Sequence, residues 1–207
     1  KGARKSKRTG RSSLFQPLFI LDFEVYYKEG REIQLVKEFS SPVILKSLPF
    51  DIVKSTQAIF IAEVLYRVVK EEEPNPVLSG FLVNSIQFLD ALENPFPDYH
   101  IIFMFQLTRH LGFFPHNNYA PAAPVFDLIE GKFKSYARDT ETCLSKEYSM
   151  LWSKYIGLDY ELGKSLGHNS GQRKIMLENL IRYFKIHIPS MGDVRSLEVL
   201  HSLFHNL

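Results

Sequence analysis

Apolar and polar residues alternate in two short runs near the beginning of the chain. The first run extends from Leu21 to Tyr27, and the second covers residues 32–39. A period of two residues is typical of β-strands, and the glycine-containing segment 28–31 between the runs predicts an antiparallel hairpin. We expect one face of its first strand to be buried, that of Leu21, Phe23, Val25 and Tyr27. Because a two-stranded sheet is only marginally stable in water, the hairpin should pair with further strands or pack on helices.

Helical periodicity replaces this alternation after Pro49. Apolar residues recur at intervals of three and four, which predicts α-helices over residues 50–72, 77–92, 98–111, 143–155, 171–187 and 194–207. The third helix is apolar on most of its surface, so we place it at the centre of a bundle. Residues 113–141 interrupt the pattern with loop and a short hairpin around Gly131. The pattern therefore predicts an α+β chain that is mostly α, with a β segment in front of a helical domain.

The composition is that of a folded domain. Hydrophobic residues make up 45% of the 207 positions and aromatic residues 14%, which supports a substantial core. No apolar run reaches the roughly 20 residues of a membrane-spanning helix, and no secretory signal peptide is recognisable. Cys143 is the only cysteine, which excludes an internal disulfide and a metal site made of cysteines alone. We expect a soluble cytoplasmic protein and, because the chain begins at Lys1 without a methionine, further residues upstream.

Charge is distributed unevenly along the chain. Six of its 25 basic residues lie among the first eleven positions, before the first acidic residue, and form a basic strip: Lys1, Arg4, Lys5, Lys7, Arg8 and Arg11. The other 196 residues carry 19 basic and 23 acidic side chains, so a slightly acidic body follows the strip. Cations spaced by small residues and joined to a strand are suited to bind the phosphates of a nucleic acid. The alternative is a disordered, solvated tail.

Two further features are candidates for binding. Four aromatic residues lie on or next to the predicted strands and could stack on bases if they face outward: Phe15, Phe19, Tyr26 and Tyr27. Core packing is the alternative for each of them. Arg109 stands beside His110 near the end of the apolar third helix, where a cation next to hydrophobic side chains could hold an acidic and aromatic peptide tail. A snorkelling arginine is the simpler explanation.

The motifs of common enzymes are missing. Neither of the glycine-rich nucleotide-binding fingerprints occurs, and Cys143 has no local catalytic signature. His201 and His205 have the i, i+4 spacing of a two-histidine metal site, but no acidic residue stands between them as in a zinc-protease motif. A solvated or packed pair is the more common outcome. We therefore expect no catalytic residue, no metal and no cofactor.

Several segments, taken in order, resemble the bacterial RecO family of DNA repair proteins. KGARKSK followed by LFQPLFILDFEVYYK is similar to the basic segment and the Gln-Pro strand at the end of the family's N-terminal OB-fold. AEVLYRVVKEEEPNP at 62–76 is similar to a helix that ends in acidic residues before proline. FMFQLTRHLGFFP at 103–115 matches the family's central helix and its Leu-Gly-aromatic-aromatic-Pro corner, and SLEVLHSLF near the end completes the set. The resemblance covers nearly all of the chain.

The resemblance implies a partial OB-fold with a basic loop over residues 1–42 and a RecO-like α-helical domain over 43–207. A complete OB-fold has about five strands, of which this chain would supply the last two or three, so the first strands would lie upstream of Lys1. Many members carry a zinc module of two CxxC pairs after the corner. Residues 113–141 take its place here without those cysteines, so we expect a zinc-free variant.

The function that the resemblance implies is recombination mediation rather than enzymatic catalysis. Members of the family bind single- and double-stranded DNA without sequence preference, anneal complementary strands, contact the acidic C-terminal tail of single-stranded-DNA-binding protein (SSB), and act with RecR to load RecA. The basic strip would be the DNA site, because neutralising phosphates on both strands lowers their repulsion. Arg109 is our choice for the tail site. The alternative function is a helical protein-interaction module whose basic end is only a solubilising tail.

Overall fold

The computed structural model describes residues 12–70, 73–94, 97–137, 139, 141–158 and 166–205, without the side chains of Ser12, Phe204 and His205. The element order is β1 (Asp22–Tyr26), β2 (Leu35–Ser40), α1 (Ile52–Val68), α2 (Pro76–Ala91), α3 (Tyr99–His110), β3 (Val125–Asp127), β4 (Lys132–Lys134), α4 (Lys146–Ile156), α5 (Ser170–His187) and α6 (Ser196–His205). The α+β, mostly helical class is confirmed, as is each of the six predicted helices. The largest boundary difference is in α1, which ends four residues before the predicted position.

β1 and β2 form the predicted antiparallel hairpin in front of the helical domain, with Phe23 opposite Phe39. Their connection spans residues 27–34 and is longer than the predicted turn. The side chain of Gln34 closes it, because its amide oxygen accepts from the Lys28 N–H at 2.9 Å and its amide nitrogen donates to the Lys28 carbonyl at 3.0 Å. A side chain therefore replaces the backbone hydrogen bonds of a tight turn.

The expectation that one face of β1 is buried is wrong. All five residues of β1 are exposed, Phe23 by 48% and Val25 by 41%. The sheet has two strands in the described part of the chain, and a bulge between Glu24 and Val25 interrupts the alternation. The base of the hairpin nevertheless packs on the helices, as predicted. There the Ser41 hydroxyl donates to the Ile20 carbonyl at 3.0 Å, and the apolar residues before β1 lie against the helical core.

α3 lies at the centre of the helices, as its apolar sequence predicts. It contacts α1, α2, α4 and α5, and nine of its twelve residues are buried. Phe105 packs edge-on against Trp152 and stacks on Tyr155, with ring centroids 4.8 and 5.8 Å apart. Leu111 caps the helix, and Gly112 follows with a φ of 84°, the left-handed conformation typical of the residue after a C-cap.

The short hairpin predicted around Gly131 is confirmed as β3 and β4, and β3 packs on α4. Gly131 has a φ of 62°, and a Cβ there would lie 2.9 Å from the Tyr183 hydroxyl, so both backbone conformation and space require glycine. The Asp127 carboxylate accepts from the Glu130 N–H at 3.0 Å and from Lys134 Nζ at 2.8 Å. These contacts hold the turn between β3 and β4 in place.

A hydrogen-bonded junction joins the loop before α1 to the end of α2. The Asp90 carboxylate accepts from three consecutive backbone N–H groups, at Lys46, Ser47 and Leu48, over 2.7–2.9 Å. The ammonium group of Lys54, 2% exposed, donates to the Asp90 carbonyl at 2.9 Å and to the Ser47 hydroxyl at 2.6 Å. The buried cation thus satisfies carbonyl oxygens that the end of a helix leaves free.

Candidate functional site

The predicted DNA site starts with the basic strip, all of which lies outside the described residues: Lys1, Arg4, Lys5, Lys7, Arg8 and Arg11. Its role stays a prediction. The described chain begins immediately after it, at residue 12, and leads into the β1–β2 hairpin. This hairpin is therefore the described sheet nearest to the strip in sequence.

Three phenylalanines form a cluster on one face of this hairpin. The ring centroid of Phe15 lies 4.9 Å from that of Phe39 and 6.4 Å from that of Phe23. Phe15 and Phe23 each remain 48% exposed. Exposed aromatic rings are the surfaces on which unpaired bases stack. Of the predicted stacking residues, Phe19 packs against the helical core instead, whereas the others are exposed: Phe15, Tyr26 and Tyr27.

The charges on the hairpin do not attract phosphates. Residues 22–40 carry five acidic and three basic side chains. Glu24 and Glu38 lie opposite each other across the strands, and Lys37 forms an ion pair with Glu24. Acidic side chains next to a phosphate backbone repel it. The hairpin offers a stacking surface, and the charge needed to hold DNA has to come from elsewhere in the chain.

A cavity of about 330 Å³ opens among the helices, lined from α3, α5 and α6. Leu177 and Leu200 supply apolar lining, and most of the lining surface is apolar. Four nitrogen-bearing side chains complete it: His100, Arg173, Lys174 and His201. Among the described residues no acidic side chain lines the cavity. It is therefore a concave apolar site with a positive charge.

The first turn of α5 is held at the edge of this cavity by a capping box. The Asn169 side chain accepts from the Gln172 N–H at 2.8 Å, and the Gln172 side chain accepts from the Asn169 N–H at 3.3 Å. Arg173 and Leu177 follow at i, i+4 spacing, which places them on the same helix face. The Arg173 guanidinium donates to the His168 carbonyl, whereas its buried Nε has no hydrogen-bond partner in the described chain.

The two cavity histidines are neutral at pH 7. His100 is 2% exposed, and burial together with the nearby Arg173 and His201 lowers its pKa to about 3. Burial also lowers the pKa of His201, an effect that Glu178 opposes and Lys174 reinforces. The Nε2 atom of His201 is buried and has no hydrogen-bond partner among the described residues. The fixed positive charge of the cavity therefore comes from Arg173 and Lys174, and His201 remains able to change its charge.

The lining indicates the kind of ligand that the cavity suits. Leucine side chains with two cations suit a molecule that carries both an apolar group and a carboxylate. Arg173 and Lys174 lie in the first turns of α5, where the helix dipole disfavours cations and a bound anion would offset the repulsion. Sequence reasoning missed this site, although a capping box followed at once by Arg-Lys was a visible signal.

Arg109, the residue predicted to bind a partner's tail, does not line this cavity. It is exposed at the opposite end of α3 from His100. Its guanidinium carbon lies 3.6 Å from the centre of the Phe114 ring, and its Nε donates to the Gln106 side chain at 3.0 Å. The arrangement is a cation–π contact on the surface. The predicted role of Arg109 in tail binding stays a prediction.

The other candidates for chemistry give no reactive site in the part of the chain that the structure describes. There, no group of three or more His, Cys, Asp or Glu residues could hold a metal ion. Of the two histidines with metal-site spacing, His201 lines the cavity, and the side chain of His205 lies outside the described residues. Cys143 is buried. Residues 163–167, GKSLG, have the spacing of a serine nucleophile elbow, which sequence reasoning overlooked. That motif follows a strand, whereas the last described element before it here is α4.

Known proteins provide an independent comparison. The DNA repair protein RecO of Bacteroides fragilis is 32% identical over 202 residues, which cover 97% of this chain and 84% of the relative. The chain belongs to the RecO family. RecO of Flavobacterium psychrophilum is 30% identical over 203 residues, covering 98% of this chain and 84% of the relative. RecO of Azobacteroides pseudotrichonymphae is 29% identical over 201 residues, covering 97% of this chain and 83% of the relative.

The family model described as Recombination protein O C terminal matches residues 49–120. This segment contains α1, α2 and α3, and hence the resemblance noted at the central helix and its corner is confirmed. The chain is accordingly a RecO-family DNA repair protein. His100 of the cavity lies inside the matched segment, whereas Arg173, Lys174 and His201 lie after it. In the described residues no helix is long and apolar enough to cross a bilayer.

Proposed function

We propose that this RecO-family protein is a recombination mediator that binds single- and double-stranded DNA without sequence preference and anneals complementary strands. It acts without making or breaking covalent bonds and, together with RecR, helps to load RecA on DNA covered by SSB. The observation that carries the proposal is the cluster of Phe15, Phe23 and Phe39 at the β1–β2 hairpin, with two of its rings 48% exposed. Six cations precede this cluster in the sequence.

The two parts of this site have different tasks. The basic strip neutralises phosphates, which gives salt-dependent affinity for any sequence and reduces the repulsion between two strands that anneal. The phenylalanine cluster stacks on unpaired bases, which favours single strands. In this proposal residues 1–42 form the DNA-binding part, a partial OB-fold, and residues 43–207 form the helical domain that receives protein partners.

The helical domain contains two candidate sites for the acidic tail of SSB. Arg109 and Phe114 form one of them, and the cavity lined by Arg173 and Lys174 is the other. We favour the cavity because it combines a concave apolar lining with two cations, as a peptide with a terminal carboxylate and an apolar side chain requires. The Arg109 guanidinium is already engaged by the Phe114 ring and Gln106.

The DNA proposal is tested by the salt dependence of binding to labelled single-stranded DNA. Replacing Lys5, Lys7 and Arg8 together by Ala should weaken binding and lower the slope of log affinity against log salt by about one unit per lost contact. The matched control replaces three exposed lysines of the helical domain and its entry loop by Ala: Lys46, Lys146 and Lys154. Unchanged affinity and slope in the strip variant would favour the alternative, a helical interaction module with a solubilising tail.

A further inference from the structure

We infer that His201 couples occupation of the cavity to the uptake of a proton, so that an acidic peptide binds more tightly as the pH falls from about 8.5 to 6. The inference rests on the proposed function, which places the acidic tail of a partner in this cavity. It adds a regulatory property to that site. The DNA-binding strip plays no part in it.

The geometry makes His201 the titratable group of the site. It lines the cavity from α6, beside Leu200, and its Nε2 is buried without a hydrogen-bond partner among the described residues. A carboxylate that enters the cavity would therefore lie next to the imidazole ring of His201. Arg173 and Lys174 supply the positive charge of the cavity beside it.

The groups around His201 decide its charge in the empty cavity. α5 presents Lys174 and Glu178, which act in opposite directions on its pKa, and α3 presents His100. α1 also packs along α6 and carries three charged groups. Lys54 is bound at the Asp90 junction, Arg67 forms an ion pair with Glu63, and Glu63 accepts from Ser196 at the start of α6. Burial outweighs these effects and lowers the pKa of His201. The ring is therefore neutral near pH 7 before a ligand arrives.

Binding of a carboxylate opposes the effect of burial on the pKa of His201. A carboxylate next to the ring favours the imidazolium form, raises the pKa of His201, and draws one proton from solvent onto the ring, which then donates an N–H to the carboxylate. Because the complex holds more protons than the free protein, affinity must rise as the pH falls. The limit for one proton is about tenfold in Kd per pH unit, between the pKa of the empty cavity and that of the occupied one. His100 stays neutral, since burial lowers its pKa to about 3.

The test measures the binding of a short aspartate-rich peptide with a C-terminal phenylalanine to the full chain. Its carboxylates titrate below about pH 5, so they do not contribute between pH 6 and 8.5. Isothermal titration calorimetry near pH 7 in phosphate and in Tris gives the number of protons taken up, because the two buffers differ in ionisation enthalpy. His201→Gln removes the titration and keeps a hydrogen-bond donor. His116→Gln, at an exposed histidine outside the cavity, is the control.

The expected result is a fraction of a proton taken up, a Kd that rises with pH by up to about tenfold per unit, and a flat profile for His201→Gln alone. Binding without proton uptake, or a His201→Gln profile that still slopes, would overturn the inference and leave the proposed site intact. A peptide that fails to bind the unmodified protein at any pH would overturn both. If His201→Gln does not fold, the two-buffer measurement on the unmodified protein still shows whether a proton is taken up on binding.

Discussion

The carboxylate of Glu63 in α1 accepts two hydrogen bonds from Ser196 at the start of α6, from the backbone N–H at 2.8 Å and from the hydroxyl at 2.7 Å. Its other oxygen accepts from the Arg195 N–H at 3.0 Å and from the Arg67 guanidinium at 2.7 Å. One side chain of the first helix thus caps the last helix. Because α6 carries Leu200 and His201, this contact also positions one side of the cavity.

Replacing Glu63 by Gln should destabilise the protein in a pH-dependent way. Burial alone would raise the pKa of Glu63, but hydrogen bonds from Ser196, Arg195 and Arg67 lower it from 4.5 to about 2. The stabilisation is therefore present above about pH 4.5 and is lost as the pH falls toward 2. We expect Glu63→Gln to lower the free energy of unfolding by about 2 kcal/mol at pH 7.

Urea denaturation of both proteins at pH 7 and at pH 3 measures this difference. It should shrink at the lower pH, whereas the exposed control Glu141→Gln should change the unfolding free energy by less than about 0.5 kcal/mol throughout. The same destabilisation by Glu63→Gln at both pH values would show that the charge of Glu63 is not what stabilises the contact between α1 and the start of α6.

Lys54→Met should be strongly destabilising although it replaces a buried charge by an apolar side chain of similar length. The ammonium group donates to the Asp90 carbonyl and the Ser47 hydroxyl, and both would lose a charged donor inside the protein. We expect a loss of about 3 kcal/mol in the free energy of unfolding at pH 7. Lys46→Met, at an exposed lysine of the same junction, should be nearly neutral. Equal effects of the two variants would contradict a structural role for the buried ammonium group.

Phe23→Ala should weaken binding to single-stranded DNA and leave its salt dependence unchanged. The substitution removes a stacking ring and no phosphate contact, so we expect a loss of about 1–3 kcal/mol and the same slope against log salt. Ile33→Ala is the control, because Ile33 is 83% exposed in the same hairpin and carries no ring. Titrations followed by fluorescence anisotropy separate the two effects. A fall in the salt slope on removing Phe23 would contradict a stacking role.

Arg173→Met should reduce the affinity of the acidic peptide by at least about tenfold, since it removes a charge-assisted contact from a largely apolar site. Arg109→Met is the matched variant at the other candidate site and should leave peptide affinity unchanged. Binding of single-stranded DNA should be the same in both variants. If Arg109→Met abolishes peptide binding and Arg173→Met does not, the tail site lies at Arg109 and Phe114, as the sequence first indicated.

The sequence predicted the helices well because their signals are local. Asp51, Asn75 and Ser145 cap their helices with side-chain hydrogen bonds, and Gly112 and Gly131 adopt the left-handed conformations that their positions indicate. The alternation of apolar residues likewise identified the first hairpin, and Gly131 marked the second. Its period shows which side chains share a face of a strand, but nothing about whether another layer covers that face. The burial expected for β1 was wrong for this reason.

The sequence by itself determined the family, the mostly helical class, the central position of α3 and the concentration of positive charge in the first eleven residues. Each of these features depends on residues that are neighbours along the chain or on an ordered set of motifs. Only the tertiary structure brought His100, Arg173 and His201, which lie far apart in sequence, to one cavity, and only it placed Arg109 outside that cavity. Helix packing decides such groupings, and packing depends on contacts between residues that no local pattern links.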